Sequence, residues 1–435
     1  MLEKAFIEWS GIDPVGWPAV QRPAWTLLLL AFSTLLAACG STASSANHGS
    51  SPNHGSSANH GSTANHGSPS GPRASGLSGQ AAGAKRRVPH GYVSVAHTFL
   101  SPAGYQTTAH LKPGPNLQPG SNPAVLPSDV LIADRNNNRL LIVNPQGTIV
   151  WQFPQPGDLA PGQSFLAPDD AFFTPNGQDI IATQESQFVI SEISVATHRI
   201  VWQYGHPGVP GSAPDYLDNP DDAMMMPNGD IVTADIKNCR ILVLRPPSHT
   251  PVKIIGETTP YCYHQPPQRW GSPNGVFPMT NGQWLVTEIN GDWADQLDLA
   301  TDQVGFSVHP PGVRYPSDTN EVAPNLFLTA DYSKPGQVEE FTSSGRLVWR
   351  YKPTGAAALN QPSLALPLPN GDVIINDDWN HRVIVVDPKT DQVVWQYGHT
   401  GVPGSAPGYL DKPDGIDLAP PYSLTITHAA TMGLP

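Results

Sequence analysis

The sequence has few charged residues, and basic residues are the scarcer kind. Only 14% of the 435 residues are charged, and 36 acidic residues outnumber 23 Lys and Arg, which gives a net charge of −13. A nucleic-acid binder needs basic side chains to neutralise phosphates, yet the one basic run is Lys85-Arg86-Arg87. We therefore expect no nucleic acid among the partners of this protein.

Long apolar segments are also lacking. The apolar stretch at residues 26–38 is too short to cross a bilayer about 30 Å thick as a helix, but it has the length of a signal-peptide core. It ends in Leu36-Ala37-Ala38-Cys39-Gly40, which resembles the lipobox of bacterial lipoproteins. The resemblance implies a signal peptide over residues 1–38, cleavage before Cys39 and a diacylglycerol on its thiol. The protein is then expected outside the cytoplasm, anchored by this lipid to a membrane of the cell envelope.

Cysteine is scarce as well, since the chain has three. With Cys39 assigned to the lipid, Cys239 and Cys262 remain as a pair in a compartment that permits disulfides. We predict a disulfide between them, with two separate thiols as the alternative. Closing a loop of this length stabilises a fold by about 3 kcal/mol in the chain-entropy model.

Residues 39–90 contain almost no large apolar side chain and are rich in Ser, Gly, Ala, Asn and His. Such a composition buries too little surface to offset the entropy of ordering, so we predict a disordered tether. Within it Asn-His-Gly-Ser recurs every six residues. The alternative function is loose binding of a transition metal by the four histidines of this repeat, His48, His54, His60 and His66.

Proline and glycine, in contrast, are abundant. The chain has 48 Pro and 40 Gly, about a fifth of its residues against roughly 12% in average usage. Long helices do not tolerate breakers at that density. The composition therefore disfavours a helical bundle or a doubly wound α/β fold and favours many short strands joined by turns.

The body of the chain is an internal repeat. Residues 202–222 and 395–415 are identical at 17 of 21 positions, at an offset of 193. Weaker copies lie between them, and a turn such as Pro227-Asn228-Gly229 recurs every 45–53 residues. Each unit holds an apolar stretch, an Asn-Gly turn typical of hairpins and three further short strands. Four strands per unit of this length predict a β-propeller blade.

The ends of the repeat leave two ring sizes open. Residues 413–418 copy the start of an inner strand and would complete the first blade, which closes a ring of six and removes its open sheet edges. Alternatively, the first blade owns an inner strand near Gln118-Pro119, and residues 91–112 and 413–428 together form a seventh blade. We predict an all-β propeller of six four-stranded blades over residues 91–435, with seven blades as the alternative.

The turn between the second and third strands carries the pattern D-x-x-N-x-R, starting at Asp134, Asp235 and Asp377. Together with P-N-G-D, this pattern resembles the NHL-repeat family of β-propellers over about residues 115–425. The second, fourth and fifth units depart from it, with Gln184-Glu185, Glu288-Ile289-Asn290 and Asp331-Tyr332 in its place. Because the Asp and Arg recur in several blades, we expect them to stabilise the turn rather than form a unique site.

Tryptophans close the fourth strands of several units. They resemble those of quinoprotein-like and arylsulfotransferase-like propellers, and we expect them to pack between blades. They are Trp151, Trp202, Trp349 and Trp395.

Acidic residues mark the starts of the predicted inner strands, which converge at one mouth of a propeller's channel; we call this side the top face. The starts are Asp169-Asp170, Asp221-Asp222, Pro273-Asn274, Asp318, Ser363 and Asp414. Carboxylates gathered around one axis repel each other unless they are hydrated or bridged by a cation. Hard oxygen ligands suit Ca²⁺, so we predict a Ca²⁺ site near Asp170, Asp222, Asn274 and Asp414, with solvated turn carboxylates as the alternative.

Ligand contacts are predicted on the top face. His206 and His399 occupy equivalent positions in the two near-identical loops. His264, Arg269 and Trp270 lie in the least repetitive stretch of the body, residues 257–276, and a break in a repeat is often where function is inserted.

These features predict a lipid-anchored propeller that binds a protein or small-molecule ligand on its top face without catalysis. The alternative is a propeller enzyme, because the resemblance to the families above implies a lyase or a sulfotransferase with its site in the central funnel.

Overall fold

The computed structural model describes residues 112–428 of this chain. The predicted signal peptide, Cys39 and the predicted tether lie outside these residues. The described part contains 24 strands and one short helix, α1 at Leu424–Thr427. The strands are β1 Val130–Asp134, β2 Arg139–Val143, β3 Ile149–Phe153, β4 Ala171–Phe173, β5 Asp179–Gln184, β6 Val189–Ser194, β7 Arg199–Gly205, β8 Pro220–Met225, β9 Ile231–Asp235, β10 Arg240–Leu244, β11 Lys253–Ile255, β12 Pro273–Pro278, β13 Trp284–Glu288, β14 Trp293–Asp298, β15 Gln303–Val308, β16 Pro316–Ala323, β17 Leu326–Asp331, β18 Gln337–Phe341, β19 Leu347–Tyr351, β20 Ala365–Pro367, β21 Val373–Asp377, β22 Arg382–Asp387, β23 Gln392–Gly398 and β24 Pro413–Leu418.

The strands form six antiparallel sheets of four, and each sheet is one blade of a β-propeller. Blade one consists of β24, β1, β2 and β3, and blades two to six follow in chain order as β4–β7, β8–β11, β12–β15, β16–β19 and β20–β23. The inner strands contact one another in sequence, from β24 to β4, β8, β12, β16 and β20, and β21 of blade six contacts β24. The ring is thereby closed, and the predicted six-bladed propeller is confirmed.

The seven-bladed alternative is wrong because residues 413–418 and the segment near Gln118 both serve other blades; residues 91–111, also assigned to the seventh blade, lie outside the described part of the chain. The C-terminal strand pairs antiparallel with β1, where Leu418 faces Val130 and Ile416 faces Ile132. The segment near Gln118 does not form an inner strand. Instead Leu117 bridges Tyr397 on the outer strand of blade six.

The D-x-x-N-x-R pattern builds the same turn in blades one, three and six. In blade three the Arg240 guanidinium donates to Asp235 at 2.8 Å, and the Asn238 amide donates to the same carboxylate at 2.9 Å. The residue between them, Cys239, takes a left-handed conformation that lets the chain turn back into β10. These contacts repeat from blade to blade, so the pattern stabilises turns, as its repetition indicates.

The fourth-strand tryptophans pack against the following blade, as predicted. The indole N–H of Trp151 donates to the carbonyl of Val195 in blade two, and that of Trp395 donates to Pro145 in blade one. Trp349 donates to Asp391 in blade six. These three rings therefore tie the outer part of one blade to its neighbour by a hydrogen bond, whereas Trp202 packs in a buried cluster with Leu242 of blade three and its indole N–H has no partner. Apolar strand residues fill the space between sheets. Within residues 112–428, no helix is long and apolar enough to cross a membrane.

Candidate functional site

Four inner strands begin with proline, and in blades two and six the equivalent Pro168 and Pro362 lie three residues before β4 and β20. The two residues that follow each proline form two rings around the channel at the top face. The first ring holds polar residues from all six blades: Asp414, Asp169, Asp221, Asn274, Ser317 and Ser363. The second ring combines three aspartates with two glycines and a leucine: Gly415, Asp170, Asp222, Gly275, Asp318 and Leu364. All twelve residues are buried by their neighbours.

The glycines of the second ring make room for its aspartates. A Cβ on Gly275 would lie 2.7 Å from Oδ1 of Asp318, and a Cβ on Gly415 would lie 2.8 Å from Oδ1 of Asp170. Neither distance is compatible with a real side chain. The sequence thus places glycine where a neighbouring blade sends a carboxylate into the channel.

Four carboxylates meet in this channel. Asp170, Asp221, Asp222 and Asp318 each offer an oxygen atom that lies within 4.8 Å of the others. None of the four forms an ion pair with a Lys, Arg or His of the described chain. Oδ1 of Asp170, Oδ1 of Asp222 and both oxygens of Asp318 are buried without a hydrogen-bond donor. Buried polar atoms left without a partner are costly, so this group requires a proton or a cation.

Burial sets the electrostatics of the cluster. Loss of water and repulsion from Asp414 raise the pKa of Asp170 to about 8. Burial and mutual repulsion likewise raise the pKa values of Asp221, Asp222 and Asp318 well above the ordinary range. Ionisation of all four carboxylates at neutral pH therefore needs a compensating positive charge among them.

A second group of charges lies at the mouth of the channel around Arg135, which follows β1. Its guanidinium bonds Glu185 and Asp414, each at 2.6 Å, and also Asp169. Burial alone would raise the pKa of Asp414, but Arg135 and Lys412 outweigh it and the pKa is lowered. This carboxylate is thus ionised and already paired.

The predicted Ca²⁺ ligands therefore separate into two groups. Asp170 and Asp222 belong to the four-carboxylate cluster, whereas Asp414 belongs to the Arg135 group. Asn274 lies between blades three and five, where its amide nitrogen donates to Asp221 at 2.6 Å and to the Ser317 hydroxyl at 3.2 Å. It positions a carboxylate of the cluster through its N–H rather than its oxygen.

The two equivalent histidines lie on the outer part of the top face, at the ends of β7 and β23. His206 stacks on Tyr216, and His399 stacks on Tyr409, both with ring centroids 4.0 Å apart. The two differ in their polar partners, because His206 contacts Asp215 at 3.0 Å while His399 contacts Gln118 at 3.1 Å. The stacks hold the two Gly- and Pro-rich loops in one conformation.

The least repetitive stretch forms a loop over blades three and four, and the predicted disulfide between Cys239 and Cys262 ties it down. His264 points to Glu288 in blade four, 3.1 Å from its carboxylate. Arg269 lies over the ring of Tyr263 at 4.1 Å. Trp270 is fully buried and donates to the carbonyl of Ile255, so this ring packs in the core and is not a contact on the face.

A pocket of about 680 Å³ opens beside this loop on the top face. Its wall combines Asp218 and Lys237 with the segment Thr258 to Cys262 and with Ser272 and Asn290. Tyr261, in the same segment, is 80% exposed. The pocket brings together an acid, a base, an aromatic ring and amide groups, which is a lining suited to a polar ligand.

Sequence reasoning named some of these residues and missed others. It noted Asp221 and Asp318 as inner-strand starts without assigning them to the metal site. It missed Arg135, because the residue that follows the first position of the turn motif is not kept from blade to blade: it is Glu185 in blade two and Ile236 in blade three. It also missed Asp295, although the unusual Glu288 of the fourth unit was a visible departure from the pattern.

No known protein-family model matches this chain, and no curated protein matches it. Among solved structures, a protein of unknown function from Bacteroides caccae is 16% identical, with 66% of this chain and 97% of that chain covered and a TM-score of 0.46. An inactive virginiamycin B lyase from Staphylococcus aureus with quinupristin is 15% identical, with 54% and 71% covered and a TM-score of 0.39. A chain of the nidogen/laminin complex is 14% identical, with 67% and 98% covered and a TM-score of 0.46. The assignment of a six-bladed propeller rests on the sheets described above.

Proposed function

We propose that this protein is a recognition module of the cell envelope, in which Ca²⁺ bound in the channel organises a top face that binds a protein or small-molecule ligand. The observation that carries the proposal is the cluster of Asp170, Asp221, Asp222 and Asp318, which is buried with uncompensated oxygen atoms. A structural cation at this point would join blades two, three and five and so fix the inner ends of the loops around the top face.

The donor set suits Ca²⁺ better than a transition metal. All four side chains are carboxylates, and the hydroxyl of Thr287 is a further oxygen beside Asp318 that has no hydrogen-bond partner. Ca²⁺ takes six to eight oxygen ligands in flexible geometry, whereas Zn²⁺ in proteins favours four ligands that include imidazole or thiolate. No His or Cys belongs to this cluster.

Ligand recognition is assigned to the pocket beside the disulfide-tied loop. This loop interrupts the repeat, and the disulfide reduces its conformational freedom. The pocket presents a negative charge on Asp218 and a positive charge on Lys237. A pre-ordered loop loses less entropy on binding, which favours recognition. The stacked loops of His206 and His399 form the rest of the rim.

Calorimetric titration of the metal-stripped full chain with CaCl₂ tests the proposal. We expect saturable binding of one Ca²⁺ per chain in the channel, lost in Asp222→Asn and in Asp318→Asn. Asp387→Asn, at the half-buried end of β22 in blade six, serves as the matched control and should bind like the wild type. Absence of binding heat at millimolar calcium, or equal binding in all variants, would contradict the channel site.

Anchoring at Cys39 is part of the proposal and has its own test. Labelled palmitate fed to a bacterial host should enter the wild-type chain and not Cys39→Ala, which should be recovered free of membranes. Equal labelling of both chains would contradict lipidation at this residue.

A further inference from the structure

Blade four lacks the guanidinium that neutralises the same position in blades one, three and six, and blade five, where Asp331 faces Gln337, lacks it as well. In blades one, three and six, the carboxylate that ends the second strand faces an arginine across the ladder, as Asp235 faces Arg240. In blade four the corresponding pair is Glu288 and Trp293. Glu288 is buried, and its Oε1 has no hydrogen-bond partner.

A second carboxylate in blade four lacks its cation as well. In blade five Glu339, on the third strand, pairs with Arg350 on the fourth at 2.8 Å. The equivalent residues of blade four are Asp295 and Ser307. Asp295 is fully buried, and its side-chain contacts with Ser307 and Glu288 supply no positive charge. At the position of Glu288 blade three has an arginine opposite, and at the position of Asp295 blade five has one, whereas blade four has neither.

The disulfide-tied loop brings an imidazole to these carboxylates. Nδ1 of His264 lies 3.1 Å from Oε2 of Glu288 and 3.9 Å from Oδ2 of Asp295. The ring is held by Trp293, which stacks on it at 4.2 Å and on His309 at 3.6 Å. The tryptophan that replaces the arginine therefore orients the imidazole.

We propose that His264, Glu288 and Asp295 bind a divalent transition metal, with Zn²⁺ as the expected ion. Tetrahedral zinc with ligands at about 2.0–2.1 Å separates neighbouring ligand atoms by about 3.3 Å, which lies between the two distances from Nδ1 to the carboxylates. One imidazole with two carboxylates is a donor set that Zn²⁺ accepts, with the fourth position left for water or a ligand. The dication supplies the positive charge that arginine supplies elsewhere.

Two features of the surroundings support metal binding. The amide of Gly271 donates to Oε2 of Glu288 at 2.7 Å, a contact of the kind that orients metal-binding carboxylates. Nδ1 of His264 is the ring atom that faces both carboxylates, so the neutral tautomer with its proton on Nε2 offers a lone pair to a metal at this point. The site adjoins the recognition pocket, since Cys262 and Ser272 in the pocket wall flank His264 and Gly271 along the chain.

Zinc content of the full chain tests this site. Wild type and variants are stripped with chelator, dialysed against micromolar ZnCl₂ and analysed by elemental analysis; any zinc on the tether or in the channel is common to all of them. We expect His264→Gln and Glu288→Gln to bind one zinc fewer than the wild type. His249→Gln, in the exposed turn between β10 and β11 of blade three, is the matched control and should retain all of it.

Trp293→Arg separates metal loss from misfolding. This change gives blade four the arginine that blades one, three and six have at the start of the third strand. The guanidinium would then neutralise the carboxylates in place of the metal. We expect this variant to lose one zinc while its thermal transition stays at or above that of the metal-free wild type. Co²⁺ should give d–d absorption bands in the wild type that are absent in Trp293→Arg. Equal zinc content in wild type, His264→Gln, Glu288→Gln and Trp293→Arg would overturn the proposal, whatever the result of the calcium titration.

Discussion

Replacing Asp318 with asparagine should make the stability of the metal-free protein less dependent on pH. Asp318 is 1% exposed, and burial raises its pKa well above 3.8. A carboxyl whose pKa is raised by folding contributes stability that is present below its unfolded pKa and is lost as pH rises toward its folded pKa. Each such group lowers the free energy of unfolding by about 1.4 kcal/mol per pH unit in that interval.

The variant removes one of these groups at nearly constant shape. Between pH 5 and pH 7, the free energy of unfolding should therefore fall less steeply in Asp318→Asn than in the wild type, by up to about 1.4 kcal/mol per pH unit. The measurement is urea unfolding in chelator at pH 5, 6 and 7, followed by tryptophan fluorescence. Asp298→Asn is the control: slight burial at Asp298 is outweighed by the amide hydrogen bond from Ala300, which lowers its pKa, so this variant should keep the wild-type pH slope.

Calcium should reverse the stability difference between the wild type and Asp318→Asn. At a concentration 100 times its dissociation constant, a ligand specific for the folded state stabilises it by about 2.7 kcal/mol. Excess Ca²⁺ at pH 7 should thus stabilise the wild type and not Asp318→Asn. Identical pH slopes in wild type and Asp318→Asn would refute the assignment of a raised pKa to this channel.

Three further predictions concern the fold. Cys262→Ser should lower the free energy of unfolding by about 3 kcal/mol, and reductant should lower the thermal midpoint of the wild type but not of Cys239→Ser/Cys262→Ser; an insensitive wild type would contradict this. Arg240→Met leaves Asp235 buried without its partner and should cost about 3–5 kcal/mol in urea unfolding; a loss under 1 kcal/mol would contradict the ion pair's role. Deleting residues 413–428 removes the inner strand of blade one, so the cooperative thermal transition should disappear, and a retained transition would show that the ring closes without this strand.

The fold could be predicted from sequence because its signals repeat. The Asn-Gly turns, the D-x-x-N-x-R turns and the fourth-strand tryptophans recur at one period. A unit with an unclear pattern can therefore be assigned its strands from the clearer units. Six second strands were expected near Asp129, Gln178, Asp230, Gln283, Leu326 and Asp372, and the structure begins them within one residue of these positions. The ring size was ambiguous because residues 413–418 fit either ring, and only their pairing with β1 decides between them.

The site could be predicted only in part because it depends on contacts between blades. Sequence periodicity located the inner-strand starts, but it could not show that Arg135, from a different turn, neutralises Asp414 while Asp222 and Asp318 have no such partner. Asp295 gave no signal by itself, since an acidic residue in a third strand is ordinary. Asp295 stands out only when the residue opposite it is known, because Ser307 faces it where Arg350 faces the equivalent Glu339 in blade five.

Anomalous scattering from crystals grown with calcium tests the central claim most directly. Data collected at long wavelength should show a peak in the channel between Asp170, Asp222 and Asp318, with carboxylate oxygens at about 2.3–2.6 Å from it. The same crystals should show no peak when Asp318 is asparagine. A channel without a peak at millimolar calcium, with carboxylates paired directly through short oxygen–oxygen contacts of about 2.5–2.7 Å, would show that protons hold the cluster and would contradict a calcium-organised top face.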